Sequence, residues 1–299
     1  MVSFRYLLVT IVSIFVALGL GVAAGTAVIN QRVVHTLENN ERDLRRTNDE
    51  LGRELRASGD FLDALVPRIL QGRLAHREVV LIRDANADGG AVGAARDFLA
   101  DAGASIVGEL TVTSRIASDD PAGSGLTTLT GVSGGPEVVA AAAARLLADR
   151  LEAGPPSTAP GAPDDLLKGL LDGGFLLPQG ALDLSRIGGT KQSVVVVAGG
   201  KTDPAVPFSQ FVLPLIEQLL QDGVPVAAGQ PAQADRGFVG LLHEDPVIAS
   251  EPGMVTVDNL APDTPFGGVA LVLALKDLLI TGHGGAYGDD EPALVPQLP

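Results

Sequence analysis

From Tyr6 to Ile29 the chain runs for twenty-four residues without Asp, Glu, Lys, Arg or His, bracketed by Arg5 and Arg32. A helix needs about 20 apolar residues to cross roughly 30 Å of hydrocarbon. The stretch is therefore long enough to span a bilayer once, and no later segment is both as long and as free of charge. The expectation is one transmembrane anchor over residues 1–30, in contact with the lipid bilayer, followed by a large water-soluble part. Ala23, Gly25 and Ala27 are small enough for a signal cleavage site. The run nevertheless exceeds the roughly 7–15 apolar residues of a signal and is read as retained. Arg5 favours an inside N-terminus, whereas Arg32, Arg42, Arg45 and Arg46 follow the span, so charge alone leaves the orientation open.

Ala17, Gly21 and Gly25 recur every four residues. They form the small-residue face that lets two helix backbones approach in lipid. Beyond the span a heptad frame places Val34, Glu41, Asn48, Leu55, Leu62 and Ile69 at a, and Leu37, Leu44, Leu51, Ser58 and Leu65 at d. A Leu-rich d row with a polar Asn at one a position describes a short two-stranded coiled coil. Gly52, Ser58 and Gly59 weaken the seam, and Pro67 should end or kink the helix near Val66. The chain is accordingly expected to form a parallel homodimer through the membrane helix and a stalk over residues 31–72. Its interface would hold Gly21, Gly25, Leu37, Leu44, Asn48, Leu51 and Leu55. An amphipathic helix packed on its own domain is the alternative.

The remainder is long enough to bury a proper core. Zero Cys excludes disulfides, thiolate metal sites and Cys nucleophiles, and the net charge of −15 argues against nucleic acid as a partner. Buried strand patterns at Glu78–Arg83, Ala104–Val112, Ser193–Ala198, Val224–Ala228 and Met254–Val257 alternate with helical patterns. That alternation predicts an α/β fold with a mostly parallel sheet, or two halves of one. The boundaries read as a first half over 73–153, a Pro-rich linker over 154–163, a second half over 164–288 and an acidic disordered tail over 289–299. Continuous apolar runs separated by helices argue against an outer-membrane barrel, whose segments alternate.

Three places invite chemistry. Gly131-Val132-Ser133-Gly134-Gly135 matches G-x-S-x-G between a possible strand (Leu126–Thr130) and a helix. In a nucleophile elbow Ser133 would attack, with Asp245 or Asp263 and then His283 as partners. A Gly/Ser turn feeding a helix is the plainer reading, and no catalysis is expected. Ala198-Gly199-Gly200-Lys201-Thr202 resembles the end of a phosphate-binding loop, but Val195 stands where the first Gly would be and Pro204 and Pro207 interrupt the following helix. A turn is expected there. The four His (His35, His76, His243, His283) and two Met offer no close pair, and reduced copper favours thiolate and thioether. His283, followed by Asp289, Asp290 and Glu291, is the one metal candidate. A His at a helix C-terminus beside a solvated acidic tail is the bland alternative.

The beginning Met1-Val-Ser-Phe-Arg5, with Val16-Ala-Leu-Gly-Leu-Gly-Val22, resembles the start of the mycobacterial copper transport protein B (MctB) family. So do Thr256-Val-Asp-Asn-Leu260, the helix Gly268–Leu279 and Gly282-His-Gly-Gly-Ala-Tyr-Gly288 near the other end. The resemblance covers nearly the whole chain. It implies an actinobacterial single-pass envelope protein of the plasma membrane, its N-terminus inside and its soluble part extracytoplasmic. It also implies copper as the ligand, a role in copper transport or homeostasis, and an association with the mycobacterial outer membrane. The same likeness extends to corynebacterial septal proteins that pair with an envelope partner to control peptidoglycan hydrolases and cell separation. A division or cell-wall scaffold is therefore the alternative function.

Overall fold

A computed structural model of the chain describes residues 4–157, 164–232, 234 and 237–296, with the side chains of 4–7, 24–44, 54–56, 58, 60 and 63 left aside. Two units are distinguished, Met1–Leu62 and Asp63–Pro299.

The first unit is one helix. α1 (Phe4–Leu70) runs for 67 residues and continues into the second unit. It passes through Pro67 rather than stopping at Val66, because a proline this close to the end removes little of the ladder; the Gln71 N–H donates to the Pro67 carbonyl at 2.9 Å. The described apolar side chains from Leu8 to Val22 are exposed, Phe15 at 68% and Leu20 at 67%. Among the described residues no helix is long and apolar enough to cross a membrane. The expected transmembrane helix is thus not met. The stretch is helical, and its described side chains, residues 8–23, are exposed. Of the expected dimer contacts, Gly21, Asn48 and Leu51 are exposed, while the side chains at Gly25, Leu37, Leu44 and Leu55 lie outside the described residues.

The second unit follows the alternation of the sequence. Its elements are β1 (Glu78–Asp84), α2 (Gly89–Asp101), β2 (Ser105–Val112), α3 (Leu126–Thr130), α4 (Pro136–Ala153), α5 (Leu166–Asp172) and β3 (Leu176–Pro178). After these come β4 (Gln192–Val197), α6 (Val212–Gln221), β5 (Val226–Gly229), α7 (Phe238–Glu244), β6 (Met254–Val257), α8 (Phe266–Thr281) and β7 (Gly285–Tyr287). All seven strands form one sheet in the order β3-β2-β1-β4-β5-β6-β7. Every pairing is parallel except the β2–β3 edge. The α/β expectation holds, and its two halves are one sheet because β1 pairs directly with β4.

Successive side chains of a strand point to opposite faces, so a continuous apolar run is stable only when both faces are covered. Val80, Ile82, Val194 and Val196 enter the core beneath α4 and α6. Val79, Leu81, Val195 and Val197 enter the core shared with α2, α8 and Leu70. On the first face Arg150 of α4 donates to both carboxylate oxygens of Asp165, at 2.7 and 2.9 Å, and to the Ile187 carbonyl at 2.7 Å. Asp165 also caps α5 through the Leu167 N–H. This buried pair pins both ends of the Pro-rich linker, of which residues 158–163 lie outside the described residues.

Two local expectations change. Leu126–Thr130 is helical rather than a strand: Gly125 and Gly131, both left-handed, bracket a single turn whose Leu126 is buried. The acidic residues from Asp289 onward do not form a disordered tail as far as Pro296. The Asp289 and Asp290 N–H groups donate to the Asp258 carboxylate, Val295 packs on the α2/α8 core and Pro296 is buried. Acidic composition misleads there because the Asp289 and Asp290 backbone amides and the Asp289 carboxylate all find partners within the fold. Residues 297–299 lie outside the described residues.

Candidate functional site

Ser133 is exposed and follows a helix, so the strand–turn–helix context of a nucleophile elbow is missing. Its supposed partners are not gathered around it. Asp245 accepts the Val247 and Ile248 N–H groups at 2.9 and 3.1 Å in a tight turn, and Asp263 and His283 are exposed elsewhere.

The two segments quoted from the C-terminal third meet at the sheet edge. β7 pairs with β6 so that Val255, Thr256 and Val257 face Gly285, Ala286 and Tyr287. Two glycines make this possible by close approach: a Cβ on Gly284 would strike the Met254 backbone, and one on Gly288 would strike the Asp258 carboxylate. Asp258 closes the corner, accepting from the Asp289 N–H at 2.8 Å and the Asp290 N–H at 3.0 Å. Asn259 adds a bond from its side-chain amide to Asp289 at 2.9 Å. Burial, with Asp277 nearby, raises the Tyr287 phenol above its ordinary value.

Against this edge α7 places His243. Its Nε2 lies 3.0 Å from the Thr256 hydroxyl and its Nδ1 3.4 Å from the Glu291 carboxylate. His243, Glu251, Met254, Thr256 and Gly284 line a hollow of about 200 Å³. His243 and Met254 therefore line one small cavity, and imidazole and thioether are both ligand types that copper accepts. His283, the candidate named from the sequence, is exposed just before β7, its N–H donating to the Thr281 hydroxyl at 3.1 Å. Among the described residues no three or more His, Cys, Asp or Glu are grouped to hold a metal ion. Nothing in the sequence spacing could have placed His243 beside Met254, because the sheet, not the chain, brings them together.

A second concavity lies at the carboxyl ends of β1 and β4. The β1 loop turns into α2 on one face, and the β4 loop turns towards α6 on the other. The loops are stitched by the Asp88 N–H to the Gly199 carbonyl at 3.0 Å and by the Asn86 side-chain amide to the Asp203 carbonyl at 2.9 Å. Asp84, buried at the end of β1, accepts from the Ala205 N–H at 3.0 and 3.1 Å. The resulting hollow, about 520 Å³, is lined by Gly199 to Pro204 and Phe208.

The profile of a family described as "Copper transport outer membrane protein, MctB" matches residues 1–296. The chain belongs to the MctB family. It is similar to proteins described as "Copper transporter MctB" from Mycobacterium tuberculosis (strain ATCC 25618 / H37Rv) and Mycobacterium bovis (strain ATCC BAA-935 / AF2122/97). Each is 27% identical over 317 aligned positions covering 98% of both chains. The relative from Mycobacterium leprae (strain TN), described in the same words, is 25% identical over 321 positions, 96% of each chain. The scaffold alternative draws no support from these relatives. In this MctB family chain the glycine-rich segment is the means by which β7 closes on β6, so its glycines are explained by packing before any ligand is invoked.

Proposed function

We propose that this MctB family protein is a membrane-anchored envelope protein that acts in copper transport or homeostasis, with no catalytic step at Ser133. Copper is the cargo, met at the β6–β7 edge by His243 and Met254, with exposed His283 as an outer ligand. The observation that carries this reading is the cavity that His243 and Met254 both line. The family description and the names of the relatives point to the same metal. The sheet is open, with β3 and β7 at its edges, so the reading is of a protein that binds and delivers rather than of a closed barrel.

Anchoring rests on the uncharged residues 6–29 and on the exposed apolar side chains of α1, which water does not favour. The anchor lies in the plasma membrane, with the second unit outside the cytoplasm. Two copies associate in parallel through the small-residue face and the heptad seam of α1. The test is a Cu(I) titration of the full chain in detergent against a competing chelator. The H243A/M254L double variant should bind at least about tenfold more weakly, and H283A by a smaller factor. Equal affinity in wild type and double variant would overturn the site.

A further inference from the structure

We propose that the hollow at the carboxyl ends of β1 and β4 binds a small phosphate ester with an apolar body. It sits at the point where the strand order reverses, β2 lying on one side of β1 and β4 on the other. In open parallel sheets the loops part there and leave a crevice for ligands.

The lining supplies what a phosphate needs. The N–H groups of Gly200, Lys201 and Thr202 make no hydrogen bond among the described residues, whereas their neighbours are used: the Ala198 N–H donates to the Gly229 carbonyl and the Ala205 N–H to Asp84. Gly199 is left-handed at φ +87°, and Gly200 can carry no Cβ without pressing on the Asn86 carbonyl at 3.0 Å. Successive amides beside a left-handed residue form an anion-binding concavity. Lys201 is exposed and makes no ion pair among the described residues. The carboxylates behind the loop are occupied: Asp84 accepts from the Asn86 and Ala205 N–H groups, and Asp88 caps α2 through the Ala91 N–H.

The apolar half of the ligand has a place of its own. Asp203, Pro204 and Phe208 also line an adjoining hollow of about 430 Å³, whose other walls are Pro207, Ser209, Leu213 and Leu241. A phosphate held by the Gly200–Thr202 amides and Lys201 would lay its ester group across Phe208 towards Leu213 and Leu241.

The inference stands apart from the copper reading and uses no metal. Phenyl phosphate is titrated calorimetrically into the full chain in a non-ionic detergent, with phenol as the control for partition into micelles. Saturable binding displaced by inorganic phosphate is expected. K201M should weaken it about tenfold, equivalent to about 1.4 kcal/mol, with an unchanged melting temperature, and K201R should retain most of it. L213A should weaken phenyl phosphate but not inorganic phosphate. No saturable binding to the wild type, or equal binding to K201M, would overturn the proposal.

Discussion

Two apolar runs of this chain have opposite fates. The four Val from Val194 to Val197 are buried on both faces of β4, whereas Leu8 to Val22 on α1 stand exposed along a helix. The difference is one of length and period. A strand of six residues can be covered by helices from the same chain, and its alternate side chains find two cores. A helix that is apolar around its whole circumference presents no polar side to water, so its cover has to come from outside. The second unit therefore holds the fold's stability, and the first unit is where the proposed anchor lies.

The largest expected effect comes from putting a charge into each run. V196D buries a carboxylate in the core and should abolish cooperative unfolding, seen by circular dichroism, because an unpaired buried charge costs several kcal/mol or more. F15D should leave that melt intact and instead shift the protein out of the membrane fraction. If F15D unfolded the second unit, the division of roles would be wrong.

R150M comes next. It leaves Asp165 buried without its partner and should cost about 3–5 kcal/mol. Burial pushes the Asp165 carboxyl up, but the hydrogen bonds and charge of Arg150 and the Leu167 N–H outweigh it and hold its value below the ordinary one. The folded value being depressed, the stability from this pair is full above the unfolded value of about 3.9 and is lost as pH falls through the folded value. In R150M burial is left to dominate, so the sign should invert and stability should rise on acidification. Thermal melts across pH 3–7 check both slopes.

G284V acts at the edge only. Its side chain collides with the Met254 backbone, so β7 and residues 288–296 should lose hydrogen-exchange protection while β1 and β4 keep theirs. The smallest effect is L51A. Leu51 is 52% exposed, so the melt should move by less than about 0.5 kcal/mol. Sedimentation should nevertheless show weaker self-association if the heptad seam joins two copies.

Much of this contrast was legible in the sequence. The Val run and the helical spacers announced a parallel α/β sheet, because strand burial on two faces is a local signal. Glu78–Asp84 and Gln192–Val197 were readable for the same reason. Leu126–Thr130 was misread as a strand because three threonines in five residues favour extended chain, whereas flanking left-handed glycines impose a turn. The site was barely legible. His283 could be named from the acidic residues that follow it, but His243 reaches Thr256 and Glu291 only through the packing of α7 on the sheet edge. The crevice had a visible trace in Gly199-Gly200-Lys201-Thr202, yet its position at the strand-order reversal depends on β1 pairing with β4, which spacing does not encode.

The measurement that bears most directly on the copper account is cell-associated copper, by elemental analysis, in deletion and complemented strains grown under copper load. The account predicts excess copper in the deletion strain, restored to normal by the intact gene and not by the H243A/M254L form. Copper content unchanged by deletion would contradict it.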